Sequence, residues 1–153
     1  MATIKSTGHP YFRAALLFEA CANLFGATIF TLAPRYTLSL LATSSVQITP
    51  LAVTLSQWLG GLTLALATPL VLAYPNTPEG IASRPTVYWT LGAGELCVVA
   101  IMGWQYMSNT SGMTARALAM SMGVLGGTLL GRLWVLIARP DLMGRVEGMK
   151  KAV

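Results

Sequence analysis

Charge is the scarcest property of this 153-residue chain: ten Lys and Arg and five Asp and Glu make up 10% of it. A soluble domain carries about 25% charged residues, because its surface must stay wet. A soluble globule is therefore excluded. The only two cysteines, Cys21 and Cys97, are too few and too far apart for a disulfide framework or a CxxC redox centre, and both read as buried small hydrophobes. No Gly-rich phosphate loop, Ser-His-Asp set or HExxH motif is present, no residue group suggests a metal, and no cofactor is expected. The single histidine, His9, precedes Pro10 and reads as an interfacial residue. The net charge of +5 is not gathered into basic runs, so nucleic acid is not an expected partner.

What the chain has in excess is apolar surface: 54% hydrophobic residues and a mean hydropathy of +0.62. Crossing a bilayer takes about 20 apolar residues as a helix. Four stretches qualify, at about 11–33, 50–74, 86–108 and 113–138, within a single membrane domain covering 1–153. The fold class is all-α, a polytopic membrane protein built as a four-transmembrane-helix bundle. Prolines punctuate it, since proline suits a first helical turn and stops a helix interior. Pro10 and Pro85 precede helices, Pro34, Pro75 and Pro140 follow them, and Pro69 should distort the second span. Residues 34–49 form the longest connection, with room for a short interfacial turn.

Basic residues flanking the spans set orientation. Lys5, Arg13, Arg84, Arg139, Arg145, Lys150 and Lys151 fall on one side, against Arg35 and Arg116 on the other, which predicts cytosolic N- and C-termini. The first span lacks a leader's basic n-region and A-x-A site, so it reads as a retained signal-anchor. A eukaryotic cell would place such a protein in the endoplasmic reticulum. The sequon Asn109-Thr110-Ser111 lies in a loop too close to the bilayer to be used. Trp89, Trp104, Tyr106 and Trp134 read as interface anchors.

Two halves can be overlaid. Glu19-Ala20-Cys21 matches Glu95-Leu96-Cys97, and Leu59-Gly60-Gly61-Leu62-Thr63 matches Leu125-Gly126-Gly127-Thr128. A duplication of this kind would be a parallel two-helix repeat about an axis along the membrane normal. Gly123, Gly127 and Gly131, spaced i, i+4, i+8, make a small-residue face for close helix packing, against the second span or against another copy in a homo-oligomer.

Ionisable groups inside a span are costly, about 2.5–3.5 kcal/mol each on insertion scales, and point to function. Here they are Glu19, Glu95 and Arg132, with Asn23 and Gln57 as neutral companions. At about 1.5 Å rise per residue, the three charged groups reach nearly one level. Asn23 lies one turn beyond Glu19 on the same face. The small residues Gly92, Ala93 and Gly94 suggest space beside Glu95, and Tyr88, Gly92, Trp58 and Gln57 are the expected lining of a substrate pocket open towards the cytosolic leaflet. One arginine against two glutamates leaves a surplus carboxyl, which low dielectric should keep protonated while the paired one stays ionised. One acid and one base at one depth suit proton-transfer catalysis. Structural Glu–Arg pairing in a non-catalytic subunit, or ion or proton transport, are the competing readings.

Three segments carry a resemblance: Phe18-Glu19-Ala20-Cys21-Ala22-Asn23-Leu24-Phe25-Gly26, Tyr88-Trp89-Thr90-Leu91-Gly92-Ala93-Gly94-Glu95 and Leu130-Gly131-Arg132-Leu133. With them the chain resembles the small integral-membrane epoxide hydrolases and cyclases of fungal polyketide biosynthesis, and it shares the layout of DoxX-like membrane proteins. The resemblance implies a lipophilic polyene, polyketide or terpenoid epoxide, opened to a diol by water or to a cyclic ether by an internal hydroxyl. It implies Glu95 as acid, Glu19 as base, Asn23 orienting the water and Arg132 keeping Glu19 ionised, with the reverse assignment open. A sterol-type double-bond isomerase also uses membrane carboxyls, but carbocation stabilisation calls for more aromatics than the 8% here.

Overall fold

A computed structural model describes residues 6–7 and 9–146, and the basic residues Lys5, Lys150 and Lys151 lie outside them. Five helices carry the chain: α1 (Pro10–Leu32), α2 (Pro34–Leu41), α3 (Pro50–Ala73), α4 (Pro78–Ser108) and α5 (Ala115–Leu133). Four are long and apolar enough to cross a membrane: α1, α3, α4, and α5 together with the π-helical turn Trp134–Ala138 that extends it. The molecule is an all-α polytopic bundle.

Helix starts follow local chemistry. Pro10, Pro34, Pro50 and Pro78 each occupy a first turn, where a missing N–H leaves nothing unpaired. The hydroxyls of Thr49, Thr77 and Thr114 accept the backbone N–H of Ala52, Gly80 and Ala117 and so cap α3, α4 and α5. The third span departs most from expectation. It begins at Pro78 and runs through Pro85, which sits inside the helix and not before it. Proline costs a helix one hydrogen bond there, and the extended first turns, capped by Thr77 and packed at Gly80 and Ile81, outweigh that loss. Glu79 lies in the first turn of α4. At 31 residues, α4 is about 46 Å long at 1.5 Å per residue and outreaches a hydrocarbon core of about 30 Å. Helix α3 likewise continues through Pro69, and the 34–49 connection holds α2 and a 3-10 turn, Ser45–Gln47.

Two antiparallel pairs organise the bundle. Helix α1 packs closely on α3, and α4 on α5, while backbone contact between the pairs is sparse outside the α3–α4 junction. Each pair is made of consecutive spans, and the glycine correspondence between the two halves of the sequence does not extend to packing. A Cβ on Gly60 would run into Thr31 Oγ1 and come within 2.9 Å of the Ala27 carbonyl, whereas Gly126 and Gly127 face open space. A Cβ on Gly123, Gly127 or Gly131 would meet nothing within 4 Å among the described residues. The close approach expected of them is made in α3 by Gly60 instead.

Both described chain ends meet at one end of the bundle, where Ser6–Thr7 pairs antiparallel with Arg145–Val146. The core sits towards that end, around Phe12, Leu16, Ala20, Leu70, Ala73, Val87, Tyr88, Leu91 and Met143. Elsewhere the spans turn apolar side chains outward, Leu17, Phe18, Leu62 and Leu96 among them. Cys21 and Cys97 are on this outer surface, exposed and unpaired, and not buried. The reason is periodicity: the buried stripe of α1 runs through Phe12, Leu16, Ala20 and Ala27, and Cys21 is one position off it.

Candidate functional site

Three helices deliver one side chain each to the space between the pairs: Glu19 from α1, Glu95 from α4 and Arg132 from the last turn of α5. Arg132 is 4% exposed, Glu19 17% and Glu95 13%. Arg132 Nε donates to both oxygens of Glu95 at 3.1 Å. Its Nη2 lies 2.9 Å from Glu19 Oε2. That second contact is an ion pair whose geometry is less well directed than the fork onto Glu95. Arg132 Nη1 is buried and unpartnered. The guanidinium carbon stands 4.8 Å from the centre of the Tyr88 ring, which is itself packed against Phe12 at 5.0 Å. Carboxylate fork and aromatic face are the two surfaces for which guanidinium, and not ammonium, is shaped.

Local packing explains why the arginine reaches across. A Cβ on Gly92 would come within 3.7 Å of Leu129 Cδ1 and 3.9 Å of Arg132 Cδ. Gly92 is thus the seat over which the Arg132 stem crosses α4, and it does not open a pocket. The space expected beside Glu95 is filled by the arginine. The phenol of Tyr88 neighbours Glu19.

The remaining expected residues take no part in the cluster's hydrogen bonds. Asn23 is half-buried on α1 and makes no hydrogen bond to the cluster. Gln57 Nε2 donates to the Thr31 carbonyl at 3.4 Å, which places it about 18 Å along α1 from Glu19 at 1.5 Å per residue. Trp58 is 66% exposed on the bundle's outside. Gln57 and Trp58 therefore do not line the site, because the α1–α3 contact turns both away from the α4–α5 pair. Two open grooves lie elsewhere. One, about 390 Å³, is an apolar groove between α1 and α3 around Leu17, Leu24 and Leu64. The other, about 300 Å³, sits at the α4–α5 turn around Gln105, Asn109 and Met113. Among the described residues no cluster of His, Cys, Asp and Glu could hold a metal ion.

A second buried arginine went unread in the sequence. Arg84, expected to flank a span, is fully buried. Its Nε donates to the Ala73 carbonyl at 2.9 Å, Nη1 to Met143, and Nη2 to Tyr74 and Pro75 at 3.2 Å and to Asn76 Oδ1 at 2.9 Å. The last carbonyls of a helix have no partner within it, and Arg84 supplies one for the end of α3 while tying it to the turn Pro140–Met143.

Comparison with known proteins adds no relative: no family model matches the chain, and no curated protein or solved structure is significantly similar.

Proposed function

We propose that the protein is a membrane-embedded, cofactor-independent enzyme that opens the epoxide of a lipophilic substrate by acid/base catalysis at Glu19 and Glu95. One observation carries this reading: a single guanidinium bridges two carboxyls brought from separate helices. With one cation, the cluster is neutral when it holds one proton, hence one acid and one base. Hydrogen bonding favours Glu95 as the carboxylate, since both its oxygens accept from Arg132 Nε, and Glu19 as the proton carrier. This reverses the assignment drawn from the family resemblance.

In the forward step the Glu19 proton passes to the oxirane oxygen as its C–O bond breaks. Water attacks the carbon and loses a proton to Glu95. Glu19 ends as the anion and Glu95 as the acid, so cluster charge is unchanged, and Arg132, touching both, stabilises either form. The unpartnered Arg132 Nη1 is a donor for the opening oxygen. An internal hydroxyl in place of water gives a cyclic ether. The substrate arrives from the bilayer, in eukaryotes that of the endoplasmic reticulum, with both termini cytosolic as the flanking basic residues suggest. The bare Gly123–Gly127–Gly131 face suits a second copy.

The test is incubation of membranes carrying the protein with polyene epoxides in ¹⁸O-labelled water. Labelled diol that vanishes in E19Q and in E95Q, with both variants still folded in detergent, is the expected result. Full turnover in both variants would overturn the proposal. A second reading, an ion-pair lock between the helix pairs, is favoured by the sparse backbone contact there. It expects failed assembly of the same variants and no substrate consumed.

A further inference from the structure

The end of the bundle where α1 begins gathers Arg13, Arg84, Arg139 and Arg145. Three of these are accounted for or free in solvent. Arg84 is saturated by neutral acceptors, Arg139 forks onto Asp141 at 3.0 and 3.1 Å, and Arg145 is exposed. Arg13 differs. It stands in the first turn of α1, half-buried, with its guanidinium carbon 4.5 Å over the Tyr74 ring. Its Nε is buried without any hydrogen-bond partner, and among the described residues no carboxylate pairs with it. Its close charged neighbour is another cation, Arg84. Asp141, on the turn that touches α1, is already taken by Arg139, and Glu79 is exposed.

A guanidinium seated on an aromatic ring, with an unpartnered buried donor and no carboxylate paired to it among the described residues, is suited to bind an anion. Its shape selects planar or tetrahedral oxyanions that take two N–H groups at once. Its level is the membrane interface: three residues past Pro10, about 4.5 Å into the helix, where lipid phosphates lie and basic pockets between helices hold anionic headgroups. We infer that Arg13, seated on Tyr74, is a binding site for the phosphate of an anionic phospholipid headgroup. The same chemistry would accept free phosphate, and the experiment separates the two. The inference is independent of the catalytic proposal.

The experiment measures unfolding half-life of the full-length protein in maltoside micelles with phosphatidylglycerol, phosphatidylcholine or inorganic phosphate added. Phosphatidylglycerol should lengthen the half-life at least about fivefold over phosphatidylcholine. R13Q should abolish that gain. R145Q, which removes the same charge from an exposed position, should keep it. R13K retains charge without the fork and should keep only part of it, and it serves if R13Q does not fold. Inorganic phosphate giving the full effect through Arg13 supports the site with free phosphate as its source. Equal protection by both lipids, equal loss in R145Q and R13Q, or an undiminished gain in R13K would overturn the inference.

Discussion

Replacing Arg132 by methionine tests whether the buried cluster is held by its charges. The change keeps an unbranched stem over Gly92 and removes every polar contact: Nε to both Glu95 oxygens at 3.1 Å and Nη2 to Glu19 at 2.9 Å. At an effective dielectric of about 20, a contact near 3 Å is worth about 5 kcal/mol of direct attraction before desolvation. Burial of all three groups offsets most of that gain. The measurable quantity is therefore the loss on breaking the set, about 3–5 kcal/mol when one partner of a buried pair is removed. R132M should lose stability of that order. Replacing all three together, as E19L/E95L/R132M, leaves no uncompensated charge and should restore stability to within about 1 kcal/mol of the native chain, or exceed it.

The assay is reversible unfolding in mixed detergent micelles, followed by fluorescence of the four tryptophans. The pattern matters more than any single value: R132M weak, the triple variant strong. A single variant within 0.5 kcal/mol of native, on the scale of ordinary surface substitutions, would refute the burial argument, and so would a triple variant less stable than R132M. A triple variant that folds and opens no epoxide separates the chemistry of the cluster from its packing.

Two further outcomes follow from contacts away from the cluster. R84K keeps the charge at the end of α3 but cannot match a guanidinium's acceptors at Ala73, Met143, Tyr74, Pro75 and Asn76, so unfolding should come about 2–4 kcal/mol earlier, one to two buried carbonyls left bare. G60A drives a methyl into Thr31 and the Ala27 carbonyl and should cost about 1–3 kcal/mol, whereas G127A, in open space within one chain, should leave the monomer neutral or stabilised by up to about 1 kcal/mol, both read by the same unfolding assay at dilutions that hold the protein monomeric.

The spans were legible because lipid imposes a length and a composition that composition alone can reveal. The convergence of Glu19, Glu95 and Arg132 was legible for a related reason: counting rises along three helices fixes the depth of each group, and equal depth is what lets the three charges meet. Azimuth is a different matter. Nothing in spacing says which helix faces which, and so Gln57, Trp58 and Cys21 were assigned to an interior that α1 and α3 close off between themselves. Gly92 obeys the same limit, since a small residue makes room equally for a ligand or for a neighbour's side chain, and here Arg132 takes the room.

Arg84 marks the boundary of what flank counting can do. A basic residue beside a span is read as solvated because the rule weighs sides of the membrane and is silent on burial. Yet α3 ends at Ala73 with Tyr74-Pro75-Asn76-Thr77-Pro78 following, a stretch with no glycine to form a left-handed cap. Its last carbonyls must find donors somewhere, and the prolines that follow have no N–H to give. A long cation one helix-start away is the group able to satisfy several of them at once. The unmet carbonyls at the end of α3 thus draw Arg84 inside the protein, whereas Arg13 Nε, in the first turn of α1, has no acceptor among the described residues.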